Sequence, residues 1–132
     1  MTGAESREQA FILLFEKSFN EDVPAEKIYE LALECEAIQD STFTHNLFTS
    51  ACEHIEVLDS TIEEYSKGWT KSRLSRVTLT VLRLAICEIS WFEKTPVKVA
   101  LSDAVKLCEK YASAEESAFV NGILGTFVKD KE

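Results

Sequence analysis

Glycine and proline are scarce in this sequence, which holds only four glycines and two prolines in 132 residues. The tight turns of β-sandwiches and barrels use these residues repeatedly, so their scarcity argues against such folds and favours helices. The apolar fraction of 45% and the charged fraction of 28% are ordinary for a globular protein and too apolar for a disordered chain. We therefore expect one domain over residues 1–132, built around a single core.

Long apolar runs and a secretion signal are also lacking. No stretch approaches the roughly 18 apolar residues of a membrane-spanning helix, and Met1 to Ala10 contain no apolar signal-peptide core. The four cysteines include no C-x-x-C pair and fall on apolar stripes. Buried thiols are therefore expected rather than disulfides or zinc ligands. Together these absences predict a cytoplasmic protein that does not contact a membrane.

Motifs for catalysis, phosphate binding and metal binding are missing too. The sequence contains no G-x-x-x-x-G-K-[ST], no G-x-G-x-x-G and no G-x-S-x-G. Its two histidines, His45 and His54, fall in no recognisable ligand spacing. The carboxylate pair Glu115-Glu116 lies near a predicted helix start, where capping and the helix dipole explain it. We expect no enzyme activity, no metal and no cofactor.

The sequence does have an excess of acidic residues, and this excess is unevenly distributed along the chain. Residues 1–66 hold 3 basic and 15 acidic side chains, whereas residues 67–132 hold 11 basic and 8 acidic ones. The first half is therefore strongly acidic, and the second is mildly basic within a chain of net charge −9. Because affinity for phosphates comes mainly from clustered lysine and arginine, this balance argues against strong RNA or DNA binding by the chain alone.

Apolar residues recur at helical spacing in seven segments, and no segment alternates as a strand does. The pattern predicts acidic helices over residues 1–66 and central and C-terminal helices over residues 67–132. The first helix is expected to begin near Glu5, and the third to carry Ile55 and Leu58. A capping box at residues 60–63 predicts a short fourth helix that ends near Ser66.

The fifth helix, from Leu74 to Phe92, is apolar almost all round, which is typical of a helix wrapped by others. Arg76, Arg83 and Glu88 interrupt it. Such charges exclude a membrane span and require contacts inside the protein or with a partner. This helix is predicted to be the central one.

The last helix follows a second predicted capping box, over residues 113–116, and contains the segment Phe119–Gly125. Gly122 in mid-helix costs about 0.5 to 1 kcal/mol relative to alanine, and a close approach of another helix is the simplest compensation. Asn121 offers an amide that either pairs internally or binds a ligand. Phe119 and Tyr111 fit either a core or an RNA-stacking surface, and periodicity leaves both open.

The order of motifs in the second half resembles the NusB family of bacterial transcription antitermination factors. The similarity extends from about Trp69 to Gly125 and is looser before it. The residues that carry it are Trp69, Arg73-Leu74 with Val77, Leu82-Arg83-Leu84-Ala85 with Glu88-Ile89, Pro96, Ala104-Val105, Tyr111 and Phe119-Val120-Asn121-Gly122-Ile123-Leu124.

The resemblance implies a compact, all-α, seven-helix fold of two helical subdomains. It also implies a non-catalytic adaptor that binds NusE, a small-subunit ribosomal protein, together with boxA RNA. The complex then helps RNA polymerase in an antitermination complex to ignore terminators, especially in ribosomal RNA transcription. By the same resemblance, RNA would contact Arg7, Phe15, Tyr111, Glu115 and Phe119. Partner contacts would be made by Arg83 and Glu88 on the central helix.

The N-terminus departs from the family pattern, because the arginine-rich start is reduced to residues 3–8 with Arg7 as their one basic residue. Each lost phosphate contact weakens binding, so we expect poor RNA binding without NusE. One alternative is therefore a protein–protein interaction module with lost or weak RNA binding. Another is an RNA-binding domain related to those of ribosomal RNA methyltransferases, which the chain's end at Glu132 disfavours. An exposed arginine or aromatic face without a partner could also support a homodimer.

Overall fold

The computed structural model describes residues 1–67 and 74–131. Within those two ranges it contains seven helices and no strand, as predicted. Trp69 and Arg73, which belong to the family motif, lie outside the described residues. The helices are α1 (Gly3–Lys17), α2 (Ala25–Glu34), α3 (Thr42–Glu53), α4 (Ile55–Tyr65), α5 (Arg76–Trp91), α6 (Val97–Tyr111) and α7 (Ala114–Lys131).

Helix α5 is the central element. It packs against α1, α3, α4, α6 and α7. Every residue from Thr78 to Glu88 is buried, which explains why this helix is apolar almost all round. The hydrophobic core therefore forms around α5, with α1 to α3 packed together on one side of it.

The start of α1 is earlier than expected. Thr2 caps the helix by accepting a hydrogen bond from the backbone N–H of Glu5, and the Glu5 carboxylate accepts one from the N–H of Thr2. This reciprocal pair is a capping box, which satisfies donors that a helix start otherwise leaves open. Glu5 is thus the third residue of the helix and not its beginning.

The boundary between α3 and α4 was predicted wrongly. The chain breaks at His54, so Ile55 and Leu58 belong to α4, and Ser60 lies inside that helix. The apolar spacing runs on across the break, and neither glycine nor proline marks it, so the pattern contains no stop signal. His54 is held there by a 2.8 Å contact between its Nδ1 and the Ser50 carbonyl, and by ring stacking on Trp91.

Helix α7 closes the core with Val120, Ile123 and Leu124, all of which are buried. At its N-terminus Ser113 Oγ accepts a hydrogen bond from the Glu116 N–H, which is one half of the predicted capping box. The Glu116 carboxylate instead accepts hydrogen bonds from Ser75 and Thr78, and these bonds lower its pKa. Glu116 therefore connects the starts of α5 and α7.

Gly122 does not lie against another helix, contrary to the sequence-based expectation. A Cβ atom built at this position meets nothing within 4 Å, and the same holds at Gly125. Asn121 is exposed too, so its amide is not the buried, internally paired group that one reading expected. Among residues 1–67 and 74–131, no packing contact against Gly122 offsets its helix cost.

The cysteines differ in their surroundings. Cys87 and Cys108 are buried as expected, and burial raises the pKa of the Cys87 thiol to about 11. Cys35, by contrast, is exposed at the C-terminal end of α2. The apolar stripe of α2 ends before this residue, because the chain leaves the helix there.

Two buried ion pairs fasten the central helix to its neighbours. Arg7 Nη2 lies 2.7 Å from Glu88 Oε2, and Arg7 Nη1 lies 3.0 Å from Asp103 Oδ2. Arg7 therefore joins α1 to α5 and α6, and its Nε also donates to Glu88. On the other side, Arg83 donates two hydrogen bonds to Asp59, at 2.7 and 2.9 Å, and joins α5 to α4.

Replacing Arg7 by methionine should lower the free energy of unfolding by roughly 3–5 kcal/mol. The reason is that Glu88, whose exposed fraction is 2%, would remain buried without its ion-pair partner. Glu88→Gln should cost less, since Asp103 still pairs with Arg7. Urea denaturation would measure both. Lys110→Met, which breaks a surface pair with Glu8, is the matched control and should cost under about 1 kcal/mol. Equal losses for Arg7→Met and Lys110→Met would contradict the structural role of Arg7.

Gly122→Ala should raise the free energy of unfolding by about 0.5 to 1 kcal/mol, because the new methyl group meets open space and the helix gains a better former. Gly125→Ala should do the same for the same reason. Ala118→Gly, an exposed position one turn earlier, is the reverse control and should lower stability by a similar amount. A loss of stability in Gly122→Ala would show that the fold requires glycine at this position.

Candidate nucleic-acid interface

Four aromatic rings form a continuous surface along α1 and the end of α6. Phe11 and Phe15 are four residues apart and lie one above the other on one face of α1, and Phe19 follows two residues after the helix ends. The ring centroids of Phe11 and Phe15 are 6.0 Å apart, and those of Phe15 and Phe19 are 5.1 Å apart. Tyr111 packs on Phe11 at 5.0 Å. We call these four residues the aromatic face.

Exposure increases from the middle of the aromatic face towards both ends. Phe11 is buried and Phe15 half-buried, whereas Tyr111 is 38% exposed and Phe19 is 60% exposed. Ile12, on the same side of α1, adds an exposed aliphatic group. The face therefore presents one accessible ring at each end, held in place by Phe11, which belongs to the core, and by the half-buried Phe15.

Arg76 covers the Phe19 end of the aromatic face. Its guanidinium carbon lies 4.5 Å from the centroid of the Phe19 ring, and Nη1 donates a 2.8 Å hydrogen bond to the Ser18 carbonyl. The hydrogen bond fixes the first residue of α5 against the end of α1. The guanidinium is attracted to the face of the ring. Arginine and aromatic side chains are enriched among the residues that contribute most to protein–protein binding.

The Tyr111 end of the aromatic face carries a carboxylate. Glu8 accepts hydrogen bonds from the Lys110 ammonium and from the Tyr111 hydroxyl. These bonds, from Lys110 and then from Tyr111, lower the pKa of the Glu8 carboxyl. Partial burial and the bond to Glu8 in turn raise the pKa of Tyr111. At neutral pH this end therefore contains a charged lysine, a carboxylate and a neutral phenol.

The structure brings together some of the RNA-contact residues implied by the resemblance. Phe15 and Tyr111 share the aromatic face through Phe11. Glu115 is exposed in the first turn of α7, four residues beyond Tyr111. Phe119 is half-buried and packs against the hydrophobic core, so it supports this region more than it faces outward.

Arg7 is placed differently from these residues. It is only 8% exposed, and its guanidinium is bound by Glu88 and Asp103. A phosphate would reach this cation only if the buried pair opened, which is energetically costly. The observed position favours a structural role for Arg7, with an effect on RNA only through the placement of α1.

The two residues predicted to contact a protein partner also lie inside the fold. Glu88 is paired with Arg7, and Arg83 is buried and paired with Asp59. Neither charge is presented to a partner in this arrangement. The sequence pattern showed charges on an apolar helix, but a pairing with α1, 81 positions away, leaves no local signal.

A cleft between the start of α3 and the end of α5 was not anticipated from the sequence. It has a volume of about 600 Å³, and its lining includes Phe43, Trp91 and Lys94. Trp91 is substantially exposed and stacks on His54, with ring centroids 4.1 Å apart. Trp91 is the last residue of α5, and no pattern in the sequence indicated that its ring would be exposed beside a cleft.

Residues 1–67 and 74–131 contain no group of three or more histidine, cysteine or carboxylate side chains arranged to hold a metal ion. Among the helices of those same ranges, none is long and apolar enough to cross a membrane.

Comparison with known proteins agrees with the motif order. The NusB family model matches residues 4–129. A transcription antitermination protein NusB from Clostridium acetobutylicum is 37% identical over 134 residues, covering 100% of this chain and 98% of the relative. One from Finegoldia magna is 32% identical over 133 residues, covering 100% of this chain and 97% of the relative.

Solved structures show the same fold. T. maritima NusB superimposes with a TM-score of 0.87 at 27% identity, covering 98% of this chain and 92% of the other. A crystal structure of the antitermination factors NusB and NusE in complex with double-stranded RNA contains a chain with a TM-score of 0.85 at 26% identity, covering 96% of both chains. With the seven helices arranged alike and the family model matching nearly the whole sequence, the chain belongs to the NusB family.

Proposed function

We propose that this chain is a transcription antitermination adaptor that binds NusE and boxA RNA and promotes ribosomal RNA transcription through terminators. The observation that carries the proposal is the aromatic face, which offers accessible rings at two ends of one rigid surface. Family membership supports it, because the relatives are antitermination proteins, and a structural neighbour was solved in complex with NusE and double-stranded RNA.

The RNA is proposed to bind at the Tyr111 end. Single-stranded RNA is recognised by stacking its bases on aromatic side chains, and Tyr111 presents a partly exposed ring beside Lys110. Glu115 lies on the adjacent turn, where its carboxylate can accept hydrogen bonds from base amino groups. Phe15 supports Phe11 by ring stacking and Phe119 packs against the hydrophobic core, while Arg7 acts by holding α1 against α5 and α6.

NusE is proposed to bind at the Phe19 end. Phe19 is an exposed apolar side chain next to the ordered guanidinium of Arg76, and Ile12 is a further exposed apolar side chain on α1. Arginine and aromatic residues are enriched among interface residues that matter most for affinity. Arg83 and Glu88 contribute indirectly, because their ion pairs fix the position of α5 under this surface. The two ends would let one surface hold protein and RNA simultaneously.

The RNA assignment is tested by measuring the affinity of the chain for boxA RNA with and without NusE. We expect weak binding alone and tighter binding with NusE, since the chain carries a net charge of −9. Tyr111→Ala should weaken the ternary complex by about 1–3 kcal/mol per stacked base, whereas Tyr111→Phe should retain most of the affinity because the ring remains.

Two results would point elsewhere. Suppose that NusE binds the chain, but that the complex binds boxA RNA no more tightly than NusE or the chain does alone. The chain is then a protein–protein module without RNA function. If Tyr111→Ala and wild type form the ternary complex equally well, RNA contacts another surface.

The partner assignment is tested with Phe19→Ala, which should weaken NusE binding by at least about 2 kcal/mol, or roughly 30-fold, if Phe19 is a central contact. Isothermal titration calorimetry with purified NusE would measure it. Val57→Ala removes a comparably exposed apolar side chain, 54% exposed on α4, and should leave the affinity unchanged. Comparable losses for both variants would exclude the Phe19 end as the binding surface.

A further inference from the structure

A row of basic side chains runs along the outside of α6. Lys98, Lys106 and Lys110 are separated by eight and four residues, with Ser102 completing a four-residue spacing. At 1.5 Å per residue, Lys98 and Lys110 are roughly 18 Å apart along the axis. All four side chains are exposed. We call Lys98, Lys106 and Lys110 the α6 lysine row.

The charges around the row leave it positive. Asp103 is bound to Arg7 and Glu8 is bound to Lys110, so these two carboxylates are already paired, and Glu93 lies at the cleft with Lys94. Within the part of the chain that the structure describes, neither Lys98 nor Lys106 takes part in an ion pair. Glu109 is the one acidic residue exposed on α6 itself. In a chain of net charge −9, this helix surface is a local basic site.

Aromatic surfaces lie at both ends of the row. Lys110 is followed directly by Tyr111, and its ammonium lies 5.3 Å from the centroid of that ring. Four residues before Lys98, Lys94 lines the cleft that also contains Trp91. Proteins that bind single-stranded nucleic acid combine a basic track for the backbone with aromatic side chains for the bases. The composition of this surface fits that type of ligand.

The row also offers phosphate contacts that the N-terminus lacks. Arg7, the one basic residue in the N-terminal segment of residues 3–8, is enclosed by Glu88 and Asp103. Phosphate affinity must therefore come from other cations, because counterion release by lysine and arginine supplies most of it. Lys98 and Lys106 are exposed cations on the helix that ends at Tyr111.

We propose that the α6 lysine row binds the phosphate backbone of single-stranded RNA whose bases stack on Tyr111. This inference rests on the proposed function and names the part of the surface that supplies its electrostatic affinity. The strand follows α6 from Tyr111 towards Lys94, so the RNA-binding surface extends along the length of α6.

The test compares two double variants of equal charge. Lys98→Gln with Lys106→Gln removes two cations from the row, and Lys27→Gln with Lys129→Gln removes two exposed cations from α2 and α7. Affinity for boxA RNA is measured with NusE saturating at several salt concentrations. Urea denaturation and NusE affinity are measured for each variant as controls for folding and partner binding.

The row variant should flatten the slope of log affinity against log salt by about 1.4, which is two contacts at roughly 0.7 each for a single strand. At 0.1 M salt this corresponds to an affinity loss of about 25-fold from counterion release alone. The control variant should keep the wild-type slope, because it changes net charge without touching the row.

Each other outcome overturns a distinct statement. Suppose that wild type binds RNA and that the two double variants show the same salt slope, either both unchanged or both equally flattened. The row is then not the phosphate site, and the proposed function stands. If the row variant loses affinity for NusE instead, α6 is a protein-binding surface. If wild type with NusE does not bind RNA at all, the proposed function fails and the row proposal fails with it.

Discussion

The buried guanidinium of Arg7 determines how α1 packs against α5 and α6. It lies where α1, α5 and α6 come together, and it is bound by carboxylates from the last two of these helices. An isolated carboxylate in the core would be strongly unfavourable, so Glu88 can stay there only while α1 is in place. The position of α1 in turn fixes the three phenylalanine rings, and through Phe11 it fixes Tyr111. The proposed binding surface thus depends on an interaction that is itself inaccessible.

Periodicity in the sequence was sufficient for the helices and for most of the core. Val120, Ile123 and Leu124 lie inward because apolar spacing of three and four residues directly encodes a buried helix face. The break at His54 was not predictable in this way, since it depends on a histidine ring stacked on Trp91, a residue 37 positions later. Helix ends that tertiary contacts define leave no turn residue for a sequence pattern to detect.

The site was harder to predict than the fold, because charged residues look alike in a sequence whether they are paired or exposed. Glu88 and Arg83 stand out on an apolar helix, yet their partners on α1 and α4 are visible only in three dimensions. The aromatic residues of α1 could be recognised as a stripe, but their continuity with Tyr111 required the packing of α6 on α1. The lysines of α6 gave no motif at all, since their significance comes from the acidic surface elsewhere in the chain.

Under the proposed function, Glu8 competes with RNA for the Tyr111 end of the aromatic face. Its carboxylate already occupies the position beside Lys110 and Tyr111 that an incoming anion would take. A single phosphate, such as that of a free nucleotide, would exchange one anion for another and gain little. A strand that places several phosphates along α6 can displace the carboxylate, because its other contacts compensate for the exchange. If RNA binds at this end as proposed, the internal carboxylate favours ligands with several phosphates over single nucleotides.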